Sequence, residues 1–159
     1  MKIFYSYTYG GVGKIEIGTE SESITDVHFA KSFVPPSEYS RKETPLHKKA
    51  AEQLRGYFEG TRKVFDLPLA PKGTDFQRRC WEALLQVPYG ETRSYGDIAR
   101  AAGSPKGFRA VGMANNRNPV AIIIPCHRII GSDGKLVGYG GGIDIKAFLL
   151  DLERKYAKS

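Results

Sequence analysis

A thiol, an imidazole and a guanidinium occur in succession at Cys126, His127 and Arg128, directly after the apolar run 120–124 and Pro125. The thiolate form of cysteine is the nucleophile, and neighbouring cations or hydrogen-bond donors favour it. Proline lacks an N–H and drives the residue before it towards an extended conformation, so the run reads as a buried strand ending at Ile124, with Cys126 at its terminus. Consecutive side chains diverge on strands and helices alike, which makes a direct Cys126–His127 dyad hard to build. A water passing the proton between them, with a carboxylate on the far ring nitrogen, is the workable arrangement. Thiol proteases differ, because their histidine comes from a remote segment. Cys80 lies on the apolar face of a helical pattern and reads as a small buried hydrophobe.

The elements that must position this trio fall into two groups. Residues 2–30 alternate like short strands separated by glycine and acidic-serine turns, most clearly in "GKIEIG". A polar, proline-containing loop follows. Leu46, Ala50, Leu54, Tyr57 and Phe58 then recur at helical spacing up to Gly60. "FDLPLAPKGTDF" is the best boundary, dividing domains 1–72 and 73–159. Past it, Phe76, Cys80, Leu84 and Val87 share a helix face that opens at the N-cap Thr74 and is expected to close at Gly90. Ser94 and Asp97 stand at capping-box spacing before a short helix that ends at Gly103. Ser104 and Pro105 are expected to open the next helix. Two short helices around a glycine turn, the second one basic, form a helix-turn-helix candidate. The glycine-rich "SDGKLVGYGGG" reads as a hairpin, which suggests a winged helix, and "IDIKAFLLDLERKYA" is an amphipathic helix.

Composition narrows the classes. The 159 residues are 41% hydrophobic and 26% charged, which fits a packed globular chain. The formal charge is +7, and residues 98–132 hold Arg100, Lys106, Arg109, Arg117 and Arg128 without one Asp or Glu. Such a one-sign stretch favours polyanions, although a merely solvated basic face has the same composition. Ala110, Gly112 and Ala114 are small; they let a helix either approach a partner closely or pack on a neighbouring helix. Two cysteines and scattered His28, His47 and His127 provide neither a disulfide framework nor a four-ligand zinc cluster. No long apolar segment marks a leader or a membrane span, so the expectation is a soluble, cytoplasmic protein.

"IPCHRII", preceded in order by "PYGETRSYGDIA", "RAVG" and "NP", resembles the O6-alkylguanine-DNA alkyltransferases (methylated-DNA–protein-cysteine methyltransferases), and the similarity covers nearly all of 73–159. The resemblance implies an α/β fold of a ribonuclease H-like first domain, a small sheet plus helix, and a winged helix-turn-helix second domain. It implies that Cys126 takes the alkyl group from O6 of guanine and is consumed, with no cofactor and no metal; O4-alkylthymine is a further substrate that the residues leave open. His127 is then the base through water, Glu153 the carboxylate orienting it, and Asn118 the support for the active-site segment. Tyr95 hydrogen-bonds the leaving guanine, and Arg109 fills the space of a flipped nucleotide. Ala110 and Gly112 belong to a helix docked in the minor groove, Ser132 to a DNA-contacting loop, and Tyr139 with the Ile129 main chain to the base pocket. The partner implied is double-stranded DNA bearing O6-alkylguanine, met by a monomer and not by a membrane protein. Gly96 and Ser104 stand where some relatives carry longer DNA-contacting side chains, which weakens those contacts. Arg128 is expected to brace the domain interface or the turn. A winged-helix regulator or lesion sensor without chemistry and a thiol hydrolase are the rival readings; relatives that only bind lesions replace the cysteine, and this chain keeps it.

Overall fold

Three strands form where alternation and turn residues place them: β1 (Ile3–Tyr9), β2 (Gly13–Glu20) and β3 (Ser23–Phe29). They make an antiparallel meander. The segment read as a plain loop adds β4 (Ser40–Arg41) parallel to β1, giving the order β3-β2-β1-β4. The computed structural model describes residues 1–136, 138–139 and 141–158. Helix α1 (Pro45–Glu59) opens with a capping box between Thr44 and His47. His47 is buried, and its Nε2 donates to the carbonyls of Ile3 at 3.1 Å and Ile17 at 3.2 Å, fastening the helix to two strands. Gly60 ends α1 at φ +82°, and a Cβ there would lie 2.3 Å from the Tyr156 ring, so glycine is required twice over.

The second half carries α2 (Asp75–Leu85), β5 (Arg93–Ser94), α3 (Tyr95–Ala101), α4 (Phe108–Asn116), β6 (Ile129–Ile130) and α5 (Ile143–Tyr156). The boxes Thr74–Gln77 and Ser94–Asp97 start α2 and α3. Helix α2 stops at Leu85 instead of continuing to Gly90, because its last amides tighten to i−3 bonds and Pro88 has no N–H to extend them. Ser104 and Pro105 do not open α4. The Gly107 amide donates to the Ser104 carbonyl at 2.8 Å, and Pro at the second and Gly at the fourth position are the chemistry of a β-turn. The helix therefore begins at Phe108 without a side-chain cap.

Two further expectations change. Residues 120–124 are not a strand beyond Val120, which bridges Val27 on the edge of β3; the chain then turns tightly, with the Ile124 amide on the Val120 carbonyl at 3.0 Å and Ile122 at φ +70°. Of the small hairpin read over 132–142, the described residues show a tight turn at 131–135, with the Gly131 amide on the Lys135 carbonyl at 2.9 Å, and no strands paired across it, while β6 pairs in parallel with β5. Val137 and Gly140 of that glycine-rich segment lie outside the described residues.

One apolar cluster runs through both halves, from Ile15 and Leu54 through Trp81 to Ile124 and Leu149. The edge of β3 is covered twice, by Leu69 of the connection and by Val120. Trp81 anchors α4 to α2 by donating Nε1–H to the Ala114 carbonyl at 2.9 Å. Trp81→Phe is expected to lower unfolding free energy by about 1 kcal/mol in chemical denaturation, since it removes a buried hydrogen bond and leaves the Ala114 carbonyl only the Arg117 amide at 3.2 Å; an unchanged midpoint would mean that this bond does not hold α4.

Candidate active site

The site is built where the folded apolar run meets the last helix. Asn118 shapes the run: its Nδ2 donates to the carbonyls of Ile124 at 2.9 Å and Val120 at 3.3 Å, and its Oδ1 accepts the Val120 amide at 3.0 Å. This side chain replaces the partners a strand would have found in a sheet. Pro125 follows at φ −81°, ψ 62°, and residues Cys126–Arg128 form a single 3-10 turn, all three buried. Asn115 donates to the Cys126 carbonyl at 3.4 Å from α4.

Glu153 is the centre of this region, only 1% exposed. Its Oε2 accepts from His127 Nε2 at 2.6 Å, Tyr57 hydroxyl at 2.7 Å and Arg128 Nη2 at 3.1 Å. Its Oε1 accepts from Arg128 Nε at 2.9 Å and the Gly90 amide at 3.1 Å. Burial pushes this carboxyl up, but hydrogen bonds and charge from His127 and Arg128 outweigh it and hold it at about 2. Glycine at 90, at φ +81°, ends no helix but serves the site: a Cβ would lie 2.8 Å from that of Ala157 and force the amide away from the carboxylate.

An acceptor-only carboxylate on Nε2 assigns that nitrogen's proton and leaves Nδ1 with a lone pair; Nδ1 has no protein partner. Burial lowers the His127 pKa, opposed by Glu153 and reinforced by Arg128 and Lys146. The imidazole is thus a neutral base at rest. Burial raises the Cys126 thiol, while Asn118, Lys146 and Tyr139 hold that rise down. Tyr139 is half-buried with its hydroxyl enclosed, close enough to feel the sulfur yet without a hydrogen bond of regular geometry. Tyr95, the first residue of α3, lies against Gly112 of α4, and its hydroxyl is raised by burial and by the Cys126 charge. A cavity of about 460 Å³ opens beside Cys126, bounded by Tyr139, Asn115, Asn118, Ala121 and Phe29 among others.

Cys126, His127, Glu153, Asn118, Tyr139 and Tyr95 therefore converge. Arg109 and Ala110 are exposed at the head of α4, Gly112 is half-buried, and Ser132 is exposed in the turn after β6. The Ile129 side chain is fully buried in the core. Ala114, read with the small surface residues, is buried under Trp81. Arg128, counted among the surface cations, is 6% exposed and neutralised by Glu153, with Nη1 on the Val87 carbonyl at 2.7 Å and its guanidinium over the Tyr89 ring. Sequence reasoning missed Tyr57, Gly90 and Lys146 as neighbours of the site. Lys146 was detectable, since it precedes Glu153 by two helical turns and so shares its face; Tyr57 and Gly90 carry no local signal.

Glu153 also links stability to acid. Its folded pKa lies below the unfolded 4.5, so its contribution is complete above 4.5 and is lost as pH falls towards about 2. That contribution is about 3 kcal/mol at neutral pH. Glu153→Gln is expected to cost about 3–5 kcal/mol at neutral pH by stranding Arg128. It is also expected to flatten denaturation midpoints between pH 4.5 and 2 relative to the parent. Parallel curves would remove Glu153 as their source, since Asp26, also held at about 2, stays in both proteins.

Two family models match the chain. Residues 3–71 match the family described as 6-O-methylguanine DNA methyltransferase, ribonuclease-like domain, and 75–155 match its DNA binding domain. The methylated-DNA–protein-cysteine methyltransferase of Methanosarcina acetivorans is 49% identical over 155 residues, covering 95% of this chain and 98% of that protein. The constitutive enzyme of that name from Bacillus subtilis is 47% identical over 159 residues, covering 95% of each chain. The crystal structure of Mycobacterium tuberculosis OGT in complex with DNA superposes with a TM-score of 0.90 at 42% identity, covering 97% of this chain and 94% of that one.

Proposed function

Because the chain belongs to the 6-O-methylguanine DNA methyltransferase family and repairs DNA by moving an alkyl group onto one of its own cysteines, we propose that Cys126 is the acceptor and that His127, Glu153, Tyr95 and Asn118 serve the displacement. The observation that carries this is the 2.6 Å contact of Glu153 with His127 Nε2, which leaves a neutral Nδ1 as base beside the acceptor turn. The thiol proton passes through a water to Nδ1, and Glu153 steadies the imidazolium that forms. The sulfur attacks the carbon borne on O6; the carbon–oxygen bond breaks, and its electron pair stays with guanine. Tyr95 donates to that guanine as it leaves, and the proton taken from sulfur restores it. The products are guanine and a thioether. A thioether is a poor leaving group, so each molecule acts once. Asn118, Lys146 and Tyr139 are the groups that ease the buried sulfur into its anion.

The substrate is duplex DNA carrying O6-alkylguanine. Extrusion of the lesion costs a few kcal/mol, less for a weakened pair, and Arg109 at the open head of α4 is suited to fill the gap. Ala110 and Gly112 keep that face low enough for a groove, with Ser132 contacting the backbone nearby. Residues 1–72 and 73–159 act as two domains of a monomer. No described helix is long and apolar enough to cross a membrane.

Incubation with an O6-methylguanine oligonucleotide is expected to leave one methyl group on the Cys126 peptide by mass spectrometry; an unmodified peptide after stoichiometric mixing would sink the assignment. Cys126→Ser should abolish transfer and retain DNA binding. Arg109→Ala is expected to slow repair of duplex DNA more than transfer from free O6-benzylguanine, and the wild-type affinity for undamaged DNA to fall steeply with salt. Equal slowing on both substrates would place Arg109 outside the extrusion step.

A further inference from the structure

We propose that Tyr57, carried on α1 in the first domain, is a positioning residue for the transfer: its hydroxyl sets how strongly Glu153 draws on His127 and so ties the first domain to activation of Cys126. This rests on the roles given to Cys126, His127 and Glu153 above. Tyr57 is fully buried, and its ring packs on Phe58, Phe65 and Tyr89, so the hydroxyl has no route to solvent. It donates at 2.7 Å to Oε2, the oxygen that also receives His127 Nε2 at 2.6 Å. A carboxylate oxygen divides its lone pairs among its donors. Tyr57, Arg128 and His127 therefore compete for one oxygen's charge, and removing the Tyr57 hydroxyl leaves more of it for the imidazole.

Other charged or titratable groups around the pair come from every packed element: Arg128 and Cys126 on the 3-10 turn, Lys146 on α5, Tyr89 before β5, and Tyr139 beside the sulfur. Tyr57→Phe leaves all of these in place and keeps the ring. Its direction of effect is fixed: an imidazolium better held by Glu153 forms at higher pH, so the neutral base is lost sooner on acidification. A purely structural brace would lower stability without moving that limb.

The test measures single-turnover transfer from an O6-methylguanine oligonucleotide against pH for wild type, Tyr57→Phe and Tyr9→Phe, with the His127 ring followed by NMR titration in each protein. Tyr9 donates to the Ala51 carbonyl of the same helix at 2.9 Å and serves as the control for loss of an α1 hydrogen bond. The expected result is an acid limb and a His127 titration moved to higher pH in Tyr57→Phe alone, with transfer roughly tenfold slower on the limb. Coincident limbs and titrations in wild type and Tyr57→Phe would overturn the proposal while leaving the transfer reading intact. A wild type that does not methylate Cys126 would take down the transfer reading and the proposal with it. Because the NMR titration does not depend on turnover, a slowed variant still reports.

Discussion

Glu153 is an anion placed where water does not reach, and transferring a carboxylate into such a medium costs several kcal/mol unless every lone pair is met. Here five hydrogen bonds meet it, from Tyr57, Gly90, His127 and Arg128. Those residues lie on α1, the loop before β5 and the Cys126–Arg128 turn, while the carboxylate rides on α5. Satisfying one buried charge thus requires four distant segments to be in register. The same requirement orients His127, because the imidazole is one of the donors that the carboxylate cannot do without.

Cys126 is delivered by a segment whose apolar character hides its shape. Five buried aliphatic residues in a row have the composition of a core strand, yet only Val120 pairs with the sheet. Asn118 supplies donors and an acceptor from its side chain, so residues 120–124 can satisfy their backbone while turning back on themselves. The bridge to Val27 seats this turn on the edge of β3, so the first domain supports the Cys126 region twice, through a backbone edge and through the Tyr57 hydroxyl. Scaffolding and chemistry are joined at that seam.

The outer face obeys a different constraint. Helix α4 is pinned from behind by Trp81 and presents Arg109, Ala110 and the exposed Phe108 and Met113 in front. With Arg128 consumed by Glu153, the exposed cations of the acid-free stretch are Arg100, Lys106, Arg109 and Arg117. Arg100 is partnered by Asp97. The positive surface is therefore smaller and closer to the helix head than the residue count implies.

Local chemistry was legible wherever it depended on nearest neighbours. Cys126 beside His127, the N-cap at Thr74, the capping box at Ser94 and the strand alternation all follow from short-range rules that act within a few residues. The β-turn at Ser104 was legible in principle, since Pro105 and Gly107 suit a turn as well as a helix start. What the sequence left open was settled by contacts across long separations. Periodicity cannot distinguish a buried strand from a buried turn when every side chain is apolar, and no local rule pairs Tyr57 or Gly90 with a carboxylate in the last helix. The residues determined which chemistry was possible; only the closing of two domains around one buried charge decided which groups would share it, because the cost of an unmet anion is felt only once water is gone.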